Sequence, residues 1–125
     1  MATSKIHRLD IETEKQADRV VVHCSGKVDL DTWTEFSATV RLLIPESKLI
    51  RVDMANVTRV DSTGLGALVS VWTAARGKSC DLKYINPTKR IKDVIRITSL
   101  LGIVEGHETE ERELTRALTT SNTPR

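Results

Sequence analysis

Residues Val60-Asp61-Ser62-Thr63-Gly64-Leu65-Gly66 gather a carboxylate, two hydroxyls and two glycines into one short stretch. A run with strand character precedes it, and apolar residues at helical spacing follow. A serine at such a junction has two readings. As N-cap, its oxygen accepts a hydrogen bond from a backbone N–H two or three residues on. As a covalent switch, it would place a phosphoryl group on unpaired N–H groups at the positive end of the helix dipole. A serine nucleophile of the chain's own would need a base and an orienting carboxylate. The G-x-S-x-G elbow is absent, because Val60 stands where its first glycine would be, and the only histidines are His7, His23 and His107. The pair Gly64-x-Gly66 lacks a dinucleotide loop's third glycine, replaced by Val69, and is read as allowing close packing at the helix start. No GxxxxGK[ST] run exists, so autonomous ATP use has no support. Asp53 also ends a strand, as an aspartate-phosphorylated receiver would require, but Lys15-Gln16 and Gly26-Lys27 do not supply the acidic metal cluster of that chemistry.

The elements that must position these residues follow from hydrophobic period and turn chemistry. Ile6 to Glu14 alternates as a charged edge strand. Gln16-Ala17-Asp18 turns the chain, and Arg19 to Gly26 is the second strand of a hairpin. His23 in that strand reads as a satisfied or exposed histidine. Thr32-Trp33-Thr34-Glu35 has capping-box form, and Trp33, Phe36, Val40, Leu43 and Ile44 mark a helix that Pro45 stops, with Trp33 and Phe36 on its buried face. Lys48 to Met54 is the third strand. Leu65, Leu68, Val69, Trp72 and Ala75 give one face of a helix over 62–76, closed by Gly77 as a residue tolerant of positive φ. Asp81 to Ile85 is a fourth strand. Thr88 caps a third helix with apolar face Ile91, Val94 and Ile95. Leu100 to Val104 is a possible last strand, and 108–118 a final helix.

The fold class is therefore α/β, a mixed β-sheet covered by α-helices in the order β-β-α-β-α-β-α-(β)-α. One domain is expected over 1–118, with a polar, disordered tail over 119–125. In such sheets sites collect after the strands' carboxyl ends, so Asp29, Asp53 and Asp61-Ser62 are expected to converge.

Composition excludes several classes. The 125 residues are 29% charged and 39% hydrophobic with formal net charge +2, ordinary for a soluble globular domain. Lys89, Arg90, Lys92 and Arg96 lack exposed stacking aromatics, so no nucleic acid is expected. No apolar run reaches the roughly 20 residues of a membrane helix, and a cytoplasmic location without membrane insertion is expected. Cys24 and Cys80 fit no zinc spacing; reduced, inert thiols are the default, one buried disulfide the alternative.

Gly26-x-x-Asp29, the strand through Asp53 to Val57, and Asp61-Ser62-Thr63-Gly64-Leu65-Gly66, continued by Gly77 and Leu82-x-Tyr84-Ile85-Asn86-Pro87, resemble the STAS domain of bacterial anti-sigma factor antagonists. That resemblance implies a binding protein with no catalysis, cofactor or metal of its own. It implies a partner that is an anti-sigma factor and serine kinase, phosphorylating the position of Ser62, with Thr63 as alternative acceptor. The unphosphorylated antagonist binds the anti-sigma factor and frees the sigma factor, and a serine phosphatase resets the cycle. Asp29, Asp53, Asp61, Thr63, Gly64, Leu65 and Gly66 would surround the phosphosite and meet the partner. Lys27 and Arg59 depart from the family pattern. Arg59 is also similar to STAS scaffold subunits of lipid-transport ABC systems or sensor complexes, which bind partners without a phosphorylation cycle.

Overall fold

A computed structural model describes residues 8–96 and 102–104. Its strands are β1 (Leu9–Lys15), β2 (Val20–Val28), β3 (Leu49–Val60) and β4 (Asp81–Ile85). Its helices are α1 (Trp33–Leu43), α2 (Ser62–Gly77) and α3 (Lys89–Val94). They form one sheet in the order β1-β2-β3-β4. The β1–β2 hairpin is antiparallel and turns where Gln16 N–H donates to Arg19 O at 2.8 Å. β2–β3 and β3–β4 are parallel, each joined by a crossover helix. Val104 adds a parallel bridge to Tyr84, in the segment expected as a last strand. The mixed α/β architecture thus stands as expected, whereas the helix expected over 108–118 and the tail over 119–125 lie outside the described residues.

Alternation along the strands sends one set of side chains into the core: Val20, Val22 and Cys24 from β2, Ile50, Val52 and Met54 from β3, Leu82 and Tyr84 from β4. Against them pack Phe36 and Val40 of α1, Leu68, Val71 and Ala75 of α2, and Ile91 and Ile95 of the α3 region. Both cysteines are buried and free, so the disulfide alternative is set aside. The opposite sheet face carries polar rows such as Glu12, His23 and Asp53, aligned by register.

Several expectations need correction. β3 does not end near Asp53 but runs on to Val60, because shifts in the β2–β3 register after His23 and Gly26 let the pairing continue through polar residues. The second shift uses Gly26 at φ 113, where a Cβ would lie 2.2 Å from Arg8 O. Thr32 precedes α1 without capping it; its hydroxyl donates to Lys27 O at 2.8 Å, so no capping box forms. Trp33 is 40% exposed, because the buried stripe of α1 runs through Phe36, Ser37 and Val40. On α2 the stripe is Gly64, Ala67, Leu68, Val71 and Ala75, leaving Leu65, Val69 and Trp72 half-buried beside it. Gly77 is the last residue of α2, and the positive φ falls on Ser79. On α3, Ile91 is buried and Val94 is exposed.

Candidate functional site

The site forms where β3 hands the chain to α2. Val60 is buried, and Asp61 follows in extended geometry as the N-cap of α2. Asp61 Oδ1 accepts from Gly64 N–H at 2.8 Å, and Asp61 Oδ2 accepts from Leu30 N–H at 3.1 Å. One carboxylate therefore closes the helix start and ties it to the loop between β2 and α1. The Gly64 N–H bond is the main cause that holds the Asp61 carboxyl below the usual carboxylate range; burial opposes it, and Leu30 N–H, the Arg59 charge and Thr63 N–H add to the lowering.

This corrects the reading of Ser62 as the cap. Ser62 is the first helical residue, exposed, with its hydroxyl free of capping duty because Asp61 performs it. Gly64 is what lets the start of α2 approach the end of β2: a Cβ there would stand 1.9 Å from Val28 O and 2.7 Å from Val28 C. Gly66 meets no such neighbour, so the close-packing role belongs to Gly64 alone. Thr63 and Gly66 turn toward a groove of about 230 Å³ between α1 and α2, shared with Trp33, Ser37, Arg41 and Ser70. Leu65 is half-buried against the core.

Asp29 is brought to the site and Asp53 is not. Asp29 is buried and works as a turn builder: its carboxylate accepts from Asp31 N–H at 3.0 Å, and its own N–H donates to the Thr32 hydroxyl oxygen at 3.0 Å. Its carbonyl accepts from Trp33 N–H at 2.9 Å. The bond between Leu30 and Asp61 makes this loop the neighbour of Ser62. Asp53 lies mid-strand, roughly 25 Å back along β3 at ~3.3 Å per residue. It bonds His23 Nδ1 at 2.9 Å and accepts from the Asn86 side-chain amide at 3.2 Å. His23 Nε2 in turn meets Glu14 at 2.9 Å. The expected convergence of all three aspartates is therefore corrected: the extension of β3 carries Asp53 away. Burial pushes the Asp53 carboxyl up, but hydrogen bonds from Ala55 N–H, Asn86 and His23 together leave it below its ordinary value. Glu14, then Asp53, raise His23 above its ordinary 6.5.

Sequence reasoning passed over Leu30, 66% exposed beside the Asp61 cap, and the exposed side of Trp33. A leucine flanked by Asp29 and Asp31 in the loop after a strand was the available signal. Among the described residues no three His, Cys, Asp or Glu side chains gather as metal ligands, and no helix is long and apolar enough to cross a membrane.

Comparison with known proteins agrees with this architecture. The family model described as "Mlab, STAS domain" matches residues 11–105. The anti-sigma-B factor antagonist of Staphylococcus epidermidis is 30% identical over 109 residues, covering 84% of this chain and 98% of that relative. The anti-sigma-B factor antagonist of Listeria monocytogenes is 26% identical over 93 residues, covering 74% and 82%. Among solved structures, a putative anti-sigma factor antagonist from Thermotoga maritima superposes with TM-score 0.65 at 17% identity, covering 82% of this chain and 92% of that one. The Bacillus cell fate determinant SpoIIAA in its phosphorylated form gives 0.61 at 16% identity, covering 82% and 98%. With a profile spanning most of its length and a relative matched nearly end to end, the chain belongs to the anti-sigma factor antagonist family of STAS domains.

Proposed function

We propose that this chain is a phosphorylation-switched binding protein of the cytoplasm. Unphosphorylated, it binds an anti-sigma factor that is itself a serine kinase, and so frees a sigma factor. The kinase transfers the γ-phosphoryl group of ATP to Ser62 Oγ, ADP leaves, and a serine phosphatase reverses the modification by hydrolysis. The observation that carries the reading is that Ser62 is exposed at the first helical position while Asp61 holds the cap. The hydroxyl can be modified without dismantling the joint. Thr63 is half-buried in the interhelical groove and is less open to a kinase.

The energetic logic needs only the added charge. Phosphoserine brings about −1.5 to −2 charges. At an interface that must desolvate it or set it against like charge, the cost is about several kcal/mol. Since about 1.4 kcal/mol is tenfold in affinity, about 2–3 kcal/mol makes a usable switch.

The test is incubation with ATP and the candidate anti-sigma kinase, with the modified residue mapped by mass spectrometry. Labelling of the wild type, abolished in Ser62→Ala and retained in Thr63→Val, supports the reading. Persistent label in Ser62→Ala, or no binding to any anti-sigma factor, sinks it. The second reading, a STAS scaffold subunit of a lipid-transport ABC system or sensor complex, draws on Arg59 and expects partner binding that Ser62 phosphomimics leave unchanged.

A further inference from the structure

The sheet register sets two cations side by side next to the proposed phosphosite. Lys27 of β2 is the parallel partner of Arg59 of β3, and the next pair, Val28 with Val60, is buried. Alternation therefore turns Lys27 and Arg59 together onto the face away from the core. Both are exposed, and neither has an ion-pair partner among the described residues. Like charges directly opposite each other on paired strands repel, so the pair is unfavourable as it stands and is relieved by an anion placed beside it.

Position supplies the anion. Chain length puts Ser62 within about 11 Å of Arg59 at most, and the Arg59 charge already acts on Asp61, the residue between them in the turn. Asp61 cannot neutralise the pair fully, since it sets one negative charge against two positive ones while its oxygens also accept from Gly64 N–H and Leu30 N–H. Asp61 would also repel a phosphate on its neighbour, and a dianion at residue 62 with no cation nearby would raise the energy of the joint.

We propose that Lys27 and Arg59 are an in-chain charge clamp for phosphorylated Ser62, offsetting the repulsion from Asp61 and holding the phosphate as a dianion. The clamp rests on the reading of Ser62 as phosphoacceptor and adds what that reading lacks, the residues that receive the phosphate within the same chain. The phosphorylated form is then no less stable than the free form, and the switch is read by the partner as a change from exposed cations to a compensated phosphate.

The experiment installs phosphoserine at position 62 during translation, so no kinase is needed, and titrates the phosphorus resonance with pH. Against the Lys27→Gln/Arg59→Gln double variant, the second phosphate ionisation in the otherwise wild-type protein is expected about 0.3–1 pH unit lower. The gap should shrink in about 1 M salt, where screening acts within ~3 Å. Each single variant should give part of the shift, and Lys15→Gln, at the far end of the sheet, none. Equal ionisation in the wild-type and double-variant backgrounds overturns the clamp, as does an equal effect of Lys15→Gln. Since both cations are exposed, the variants are expected to fold. A missing kinase label would count against the proposed function and leave this titration readable.

Discussion

Two glycines in the first turns of α2 give opposite predictions. In a helix, Gly→Ala ordinarily stabilises by about 0.5–1 kcal/mol, because alanine loses less backbone freedom on folding. Gly66→Ala meets nothing within 4 Å and should show that gain. Gly64→Ala would drive its Cβ to 1.9 Å from Val28 O. Ordinary contact begins at about 3.4 Å, so the start of α2 and the end of β2 must part by about 1.5 Å. Both obstacles are backbone, with no side chain to swing aside, and the separation would pull Leu30 N–H off Asp61, now at 3.1 Å. Overpacking of this kind costs about 1–3 kcal/mol, occasionally more. A contact with fixed backbone sits at the upper end of that range, so net of the helix gain Gly64→Ala should destabilise by about 2 kcal/mol, and the two variants should differ by about 3 kcal/mol. Urea titration followed by circular dichroism reads this as opposite shifts of midpoint at unchanged slope. A Gly64→Ala protein as stable as wild type, or a Gly66→Ala protein that loses as much, would refute the packing argument.

His23 makes stability pH-dependent with a defined sign. Its pKa is raised above 6.5, so its contribution is complete below that value and is lost as pH rises through the folded pKa; Asp53, lowered from 3.8, contributes above that value and loses it as pH falls. Wild type should therefore weaken from about pH 6.5 upward more steeply than His23→Gln, and parallel pH profiles would contradict the bridge. Tyr84→Phe removes a buried hydroxyl that donates to Leu68 O at 2.7 Å and should cost about 1 kcal/mol in a denaturant titration; an unchanged midpoint would count against that bond. Leu30→Ala should leave stability within about 0.5 kcal/mol yet weaken anti-sigma factor binding measurably by calorimetry, and unchanged affinity would remove Leu30 from the interface. Ser62→Ala should also stay within about 0.5 kcal/mol of wild type, whereas a loss of about 1 kcal/mol or more would mean that Ser62 caps the helix after all.

The parts of the fold legible in sequence are those with local signals: the β1–β2 turn, the Pro45 boundary, the Thr88 cap and the run of β4. The Thr88 hydroxyl does accept from Ile91 N–H, at 3.3 Å. The end of β3 was not legible, since Asp53 to Val60 reads as broken alternation unless the two shifts in its partner's register are known. That miss propagated to function, because it was the strand end that placed Asp53 at the site. The choice of cap was undetermined for a related reason. Asp61 and Ser62 are both competent caps, and which one performs depends on where the extra length of β3 delivers the chain. Trp33 illustrates a third limit: apolar spacing marks a stripe on α1, but tertiary packing sets its rotation, and the first residue of the helix falls at its margin.

The division of labour between Asp61 and Ser62 decides what kind of switch this joint can be. If the acceptor hydroxyl were also the cap, modification would remove one helix-start bond and replace it with phosphate contacts, coupling the signal to local refolding. Here the cap, the bond to Leu30 and the Gly64 contact are all made by groups that a phosphate on Ser62 leaves in place. On the proposed reading the scaffold is the same in both states, and only the charge displayed beside Leu30 and Trp33 changes. A partner can then discriminate through the changed surface charge and its desolvation, which act at the interface and need no rearrangement in the free protein.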